Sequence, residues 1–402
     1  MTSKRQLVVS VVFAAAALAL LGGVLWWERA HPPATWSAMP SGKPVRGAAL
    51  FKDKGCVRCH AIKGSGGNSA PELGSDLDVR RTPSQLVVSM WNHAPRMWAQ
   101  MKAKEIAYPK LGEQEVADLF AYLYTARCID ETGDAERGGR LFELKGCNRC
   151  HGGRTVPTKE SPPSLDSLRS SASPVAWARA MWNHPPLPND EEPPQFEARD
   201  MNDVMAFARK GQSIGLDWLL VAADADRGWK LYREKACVTC HSLRGEAGRV
   251  GPDLGPGREL PATIVQLAGS MWNHSLAMSR AMNAKGVKRP RFSDAEMADL
   301  IAFLYSIRAS EPGGSATLGE VTFDGRGCGS CHGPHGEGTE SAPGLRGKDR
   351  RYSSISLGTA LWQHGPEMNK RVVEKGVKWP DLSEGDVGDL IAFLNSAPAG
   401  RS

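Results

Sequence analysis

One short string, Cys-x-x-Cys-His, constrains this chain more than any other feature. It occurs four times, as Cys56-Val-Arg-Cys59-His60, Cys147-Asn-Arg-Cys150-His151, Cys237-Val-Thr-Cys240-His241 and Cys328-Gly-Ser-Cys331-His332. The first cysteines lie 91, 90 and 91 residues apart. In such a string the two thiols form thioethers to the vinyl groups of a haem, and the next imidazole becomes an axial iron ligand. A thioredoxin-like redox pair needs no histidine and does not recur in this way. A zinc ribbon needs paired knuckles at much closer spacing. The expectation is four covalently bound haem c groups, held by Cys56, Cys59, Cys147, Cys150, Cys237, Cys240, Cys328 and Cys331, with His60, His151, His241 and His332 on the irons.

The period also sets the organisation. A length of 402 residues ordinarily suggests two or three domains, but the repeat implies four units of about 90 residues. Units that small bury modest cores and need a staple, here the porphyrin. The period is too long for a solenoid, so tandem domains are expected. Eight of the nine cysteines belong to the motifs, and Cys128 reads as a bystander thiol. The formal charge of +6 does not point to nucleic acid, because haem propionates offset it and no long basic run is present.

Lys4 and Arg5 precede Leu7–Trp27, 21 residues without a charge, which Trp26 and Trp27 close as an interfacial belt. At ~1.5 Å per residue the segment reaches about 31 Å, the thickness of a hydrocarbon core. A single N-terminal transmembrane helix with its N-terminus inside is expected. The alternative is a signal peptide cleaved after Ala17-Leu18-Ala19. Either reading places the chain beyond residue 30 outside the cytoplasm.

Each unit opens with a short helical pattern, at Arg46–Lys54, Arg137–Lys145, Arg227–Lys235 and Leu318–Arg326, and closes with another, at Glu115–Tyr124, Met201–Ala208, Glu296–Ile307 and Asp386–Asn395. Between them come a Pro-x-Leu step (Pro71/Leu73, Pro163/Leu165, Pro252/Leu254, Pro343/Leu345) and a second signature. The latter reads Met90-Trp-Asn-His93, Met181-Trp-Asn-His184, Met271-Trp-Asn-His274 and Leu361-Trp-Gln-His364. No unit carries a convincing strand.

A helix with Gly and an aromatic before Cys-x-x-Cys-His, a Pro-x-Leu loop, a distal Met segment and a closing helix together resemble class I cytochrome c. The resemblance runs over about residues 45–398. The fold class it implies is all-α: four tandem class I cytochrome c-like domains after a single N-terminal transmembrane helix. The expected boundaries are 1–29 for the anchor and 30–44 for a linker. The domains follow at 45–130, 131–222 (with an atypical distal side), 223–310 and 311–402. The resemblance further implies that the loop proline packs on the proximal face, where a backbone carbonyl can orient the ligating histidine, and that the first and last helices of each unit cross beside the haem.

The second axial ligand has two candidate sets. Met97, Met278 and Met368 stand four residues after the Trp-x-His histidine, where the second unit has Pro188. A neutral thioether favours Fe(II), and the resemblance favours methionine. The rival is that His93, His184, His274 and His364, present in every unit, ligate instead of bonding a propionate or a neighbouring haem edge. Trp91, Trp182, Trp272 and Trp362 read as haem-packing aromatics, and Met101 and Met282 as pocket filling. In the second unit five prolines in the ten residues after His184 break the distal helix. There either His184 ligates or the site is open. The expected ligand set is therefore Met97, His184, Met278 and Met368 opposite the motif histidines.

The functional expectation is an electron carrier with no catalytic residues. It is expected in the bacterial cytoplasmic (inner) membrane, single-pass, with haem domains facing the periplasm. Expected redox partners are a quinol-oxidising complex, other cytochromes or a terminal oxidoreductase, with the membrane held through the N-terminal helix and no nucleic acid. The competing readings are a haem enzyme with an open haem in the second unit, and a cytochrome subunit of a periplasmic dehydrogenase complex.

Overall fold

The computed structural model describes residues 42–74, 82–129, 132–152, 164, 173–184, 192–197, 199–210, 223–243, 246–255, 260–307, 313–347 and 351–396. The architecture is helical. The only strands among these residues are two-residue pairs, Ala61–Ile62 with Ser65–Gly66 and Ser242–Leu243 with Glu246–Ala247, each just after a haem motif.

One crossing of helices is built four times. Helix α1 (Pro44–Asp53) packs on α3 (Glu113–Arg127), with α2 (Pro83–Ala103) between them in sequence. In the second unit α4 (Ala135–Leu144) packs on α6 (Asp200–Ala208), with α5 (Pro174–Asn183) between. The third unit has α7 (Ala225–Glu234) on α10 (Asp294–Ser306), with α8 (Ile264–Asn273) and α9 (Ser275–Ala284) between. In the fourth, α11 (Ala316–Gly325) packs on α13 (Asp386–Asn395), with α12 (Ser354–Glu374) between.

A glycine permits each crossing. A Cβ on Gly47, Gly138, Gly228 or Gly319 would lie 2.0, 1.9, 2.0 or 2.0 Å from the carbonyl oxygen of Asp118, Asp203, Asp299 or Asp389. Backbones approach that closely only without a side chain. One turn further on, an aromatic pair fills the angle: Phe51 with Tyr122, Phe142 with Phe207, Tyr232 with Phe303 and Phe323 with Phe393, at 5.7, 5.7, 5.5 and 5.4 Å between ring centres. The same aspartates accept the backbone N–H of Lys43, Asp134, Asp224 and Ser315 at 2.7–2.8 Å, tying the start of each unit to its last helix. Arg46, Arg137 and Arg227 pair with the first three of these carboxylates.

The units do not stand in a row. The first packs on the fourth and the second on the third, each couple sharing one hydrophobic core. Helix α2 lies on α12, and α5 lies on α8. Four residues before each signature tryptophan the pair demands small volume. A Cβ on Gly358 would lie 2.7 Å from Val87 Cγ2, and Ala178 and Ala268 at the equivalent positions are both fully buried. Val with Gly in one couple and Ala with Ala in the other keep the summed volume nearly constant.

The Trp-Asn half of the second signature clasps the partner unit. Trp91 Nε1 donates to Pro380 O at 2.8 Å and Trp362 Nε1 to Pro109 O at 2.9 Å. Trp182 Nε1 donates to Pro290 O at 2.8 Å and Trp272 Nε1 to Pro194 O at 2.9 Å. The next residue completes each clasp. Asn92 bonds both backbone groups of Leu382, Asn183 those of Phe292 and Asn273 those of Phe196, while Gln363 donates to Leu111 O. Proline within a helix leaves the carbonyl four residues earlier without its N–H. Pro95 so frees Trp91 O, which Trp379 Nε1 takes at 3.3 Å, and Pro366 frees Trp362 O, which the Tyr108 hydroxyl takes. These tryptophans are interface anchors as well as neighbours of the haem sites, which the repeat alone did not reveal.

Cys128 is not a bystander. It is buried against the core of the second and third units, and its carbonyl accepts Ile264 N–H at 3.1 Å, linking the two couples.

Two expectations are corrected. Among the described residues no helix is both long and apolar enough to cross a membrane. Helices α2 and α12 have the length, 21 residues each, but α2 carries Asn92, His93, Arg96 and Lys102, and α12 carries Glu367, Lys370, Arg371 and Glu374. An all-α fold with a single N-terminal transmembrane helix is therefore not the architecture found. Placement as a single-pass protein of the bacterial cytoplasmic (inner) membrane, haem domains facing the periplasm, loses its support with it. Leu7–Trp27, on which both rested, lies outside the described residues.

Candidate haem-binding sites

Each motif begins on a left-handed residue. Gly55, Gly146, Ala236 and Gly327 have φ of 82°, 74°, 61° and 76°, and this turn ends the first helix and swings the first cysteine inward. The motifs themselves form single turns, 3-10 at Cys56–Arg58 and Cys237–Thr239 and α at Asn148–His151 and Gly329–His332. Burial raises the first thiol in every case, to about 11 for Cys237 and Cys328. Among the described residues no group of three or more His, Cys, Asp and Glu side chains converges to hold a bare metal ion.

The motif histidines are fixed by the Pro-x-Leu loop. His60 Nδ1 bonds Pro71 O, His241 Nδ1 bonds Pro252 O and His332 Nδ1 bonds Pro343 O, each at 2.9 Å. A carbonyl on Nδ1 places the proton there and leaves Nε2 as the metal-binding lone pair. Pro163 and Leu165, the corresponding step in the second unit, lie outside the described residues.

Opposite the motif histidine the units divide. In the first, the rings of His60 and His93 approach edge-on with centres 6.5 Å apart and planes at 64°; in the second, those of His151 and His184 are 6.0 Å apart with planes at 58°. A metal–imidazole bond of about 2.0 Å, with the ring centre ~1.2 Å behind the nitrogen, would put two imidazoles on opposite sides of one metal about 6.4 Å apart between ring centres. The residues thus fit a haem iron. His93 Nδ1 bonds Ser89 O, which again leaves Nε2 for metal, and burial lowers its pKa toward the neutral ligand form. In the third and fourth units no ring contact joins His241 to His274 or His332 to His364, and both distal histidines are exposed.

The methionines Met97, Met278 and Met368 are half-buried, packed against the two cores, and Met282 lies beside Met278. Met201, in the closing helix, accepts the Trp177 indole N–H at 3.0 Å and is fully buried, so it is committed elsewhere. Pro188 lies outside the described residues. Sequence reasoning put Met97 first as the distal ligand and kept His93 as its rival, with a propionate or a haem edge as its role should methionine ligate. The presence of a histidine at this position in the unit that lacks the methionine was the signal that the position itself can ligate.

The two thiols, the carbonyl-anchored histidine and the crossed helices define a c-type cytochrome. Comparison with known proteins agrees. The cytochrome c family matches residues 44–127 and 316–398, and the family of cytochrome c oxidase, cbb3-type, subunit III matches 223–304. The C subunit of nitric oxide reductase from Stutzerimonas stutzeri is 30% identical over 121 residues, covering 28% of this chain and 78% of the relative. No solved structure matched. The chain belongs to the class I c-type cytochromes. It is a haem c electron-transfer protein.

Proposed function

We propose that the chain binds four haem c groups, one in each of the units 45–130, 131–222, 223–310 and 311–402, and carries electrons between protein partners of a respiratory chain. The observation that supports this best is the fourfold recurrence of one built site: left-handed turn, paired cysteines, histidine and crossed helices. Haem c, when bound, supplies a one-electron iron couple. The protein's residues hold it: Cys56/Cys59, Cys147/Cys150, Cys237/Cys240 and Cys328/Cys331 as thioethers, and His60, His151, His241 and His332 as proximal ligands. His184, Met278 and Met368 are the distal ligands of the last three units, and His93 or Met97 that of the first.

The oxidase family and the reductase relative are both subunits of larger oxidoreductases, which favours a chain that feeds or drains such an enzyme over a free-standing one. A quinol-oxidising complex is the donor class, and another cytochrome or a terminal oxidoreductase the acceptor class. The 6.0 Å spacing of His151 and His184 would suit one iron held between two imidazoles, which favours electron transfer over catalysis there. The test is intact mass of matured protein under denaturing conditions. The apo mass plus four haems is expected; three or fewer sinks the proposal. Carbon monoxide added to the reduced protein should leave the spectrum unchanged.

A further inference from the structure

We infer that each couple of units holds one bis-histidine haem and one histidine–methionine haem, with His93, and not Met97, as the distal ligand of the first unit. This rests on the haem reading above and divides the four sites along a line that the repeat does not show.

The geometry carries it. His93 and Met97 lie one turn apart on α2, so one rotation of the helix decides which reaches the iron. The ring presented to His60 is that of His93, at 6.5 Å, within half an ångström of the His151–His184 separation of 6.0 Å. Each of the first-unit rings has its Nδ1 tied to a carbonyl, Pro71 O or Ser89 O. Helix rigidity holds the second of these, since Ser89 O is on the same helix. His274 Nδ1 makes the same bond to Ser270 O, at 2.7 Å, yet its ring is exposed and makes no ring contact with His241. The tautomer-fixing bond is thus shared, and the approach to the proximal ring is what differs.

The division falls once in each couple. The first unit (bis-histidine) is clasped to the fourth (methionine), and the second (bis-histidine) to the third (methionine). Imidazole stabilises Fe(III) and thioether Fe(II). Each couple therefore has a built-in downhill step, from the bis-histidine unit to its methionine partner. A chain with the ligands first expected, with methionine in three units, would have such a step in one couple only.

The test uses the full holoprotein, counted first by mass. In the oxidised state the methionine-sulfur-to-iron charge-transfer band is expected at the intensity of two haems of four. Electron paramagnetic resonance should give two bis-imidazole low-spin signals. Met97→Ala should leave the band at full intensity, whereas Met278→Ala should remove half of it. His93→Met should raise it by one haem's worth. A band worth three haems, with a third lost in Met97→Ala, overturns the assignment while leaving the haem reading intact. A mass below four haems overturns the haem reading itself. Redox titration provides the second readout: two low-potential and two high-potential centres support the inference, and three high with one low overturn it.

Discussion

The imidazole of His184 stands edge-on to the indole of Trp272, with ring centres 4.9 Å apart and planes at 78°. The two residues belong to different units. The same indole donates to Pro194 O, downstream of His184 in the second unit. One side chain of the third unit thus holds both the distal ring of its partner and the chain that follows it. This is how the His184 imidazole is held although its helix α5 stops at Asn183.

Trp272→Ala should therefore cost about 3–5 kcal/mol of stability, as expected for a buried indole. It should also change the electron paramagnetic resonance signature of the His151–His184 site. Trp272→Phe keeps a ring against His184 but loses the hydrogen bond and part of the buried ring, at a smaller cost of about 1–3 kcal/mol. Chemical denaturation and low-temperature spectra check both. A Trp272→Ala protein with an unaltered second-unit signal would refute the link.

Gly228→Ala should destabilise by ~3 kcal/mol or more, because its Cβ would meet Asp299 O at 2.0 Å and both helices would have to shift. Gly325, at the end of α11, has nothing within 4 Å of its Cβ position. Gly325→Ala should instead leave stability unchanged or raise it by up to about 1 kcal/mol. Paired melting curves decide the contrast.

Ala236 is the one non-glycine at the left-handed position before a motif, φ 61°. A Cβ there costs roughly 1–2 kcal/mol. Ala236→Gly should recover about 1 kcal/mol after the larger backbone entropy of glycine is subtracted. The measurement is the denaturation midpoint, with haem content unchanged.

Acid should loosen the helix crossings. Glu115 is held below its ordinary pKa by the Gly112 N–H and by Lys54 Nζ at 2.9 Å. Glu296 is held down by Lys235 Nζ at 2.8 Å and the Ser293 N–H. A depressed carboxylate pKa stabilises the fold above the unfolded value of about 4.3 and ceases to do so as pH falls through the folded value. Glu115→Gln and Glu296→Gln should each be less stable than the parent at pH 7. The gap should narrow as pH falls below about 4.3 and close as it passes through the folded-state value. A gap of the same size at every pH, down to where the parent unfolds in acid, would count against an ionic origin.

Much of the site was written in the chain. The eight motif cysteines, four proximal histidines and the helices flanking them are local features, set by adjacent residues and a 3.6-residue period. The pairing of units was not. Trp91 and Trp362 look alike when the units are aligned, and nothing in either says that one binds Pro380 and the other Pro109. The acceptor segments do recur: Pro109-Lys-Leu111, Pro194-Gln-Phe196, Pro290-Arg-Phe292 and Pro380-Asp-Leu382. The second of them follows directly on the proline-rich stretch read only as a helix breaker. Its proline carbonyl is the acceptor for Trp272, so a residue type that disrupts local structure serves a distant contact. The choice between His93 and Met97 was hidden for a related reason. Both positions suit a ligand by spacing, and α2 packs through Val87 on Gly358 of a unit far away in sequence, which no local pattern reveals.

The clasps have a consequence for the order in which the molecule is completed. Trp182 and Pro290 are 108 residues apart, whereas Trp91 and Pro380 are 289 apart, so one couple is nested inside the other. Synthesis at about 5–20 residues per second brings out Pro380 roughly 10 s after Pro290. The inner couple can close while the last unit is still being made. Throughout that interval the first unit presents Val87 and Trp91 without the Gly358 and Pro380 they pack on and bond, and it is the oldest part of the chain that waits longest. A chain stopped after the third unit would keep a finished centre and leave its own first unit permanently half of a pair.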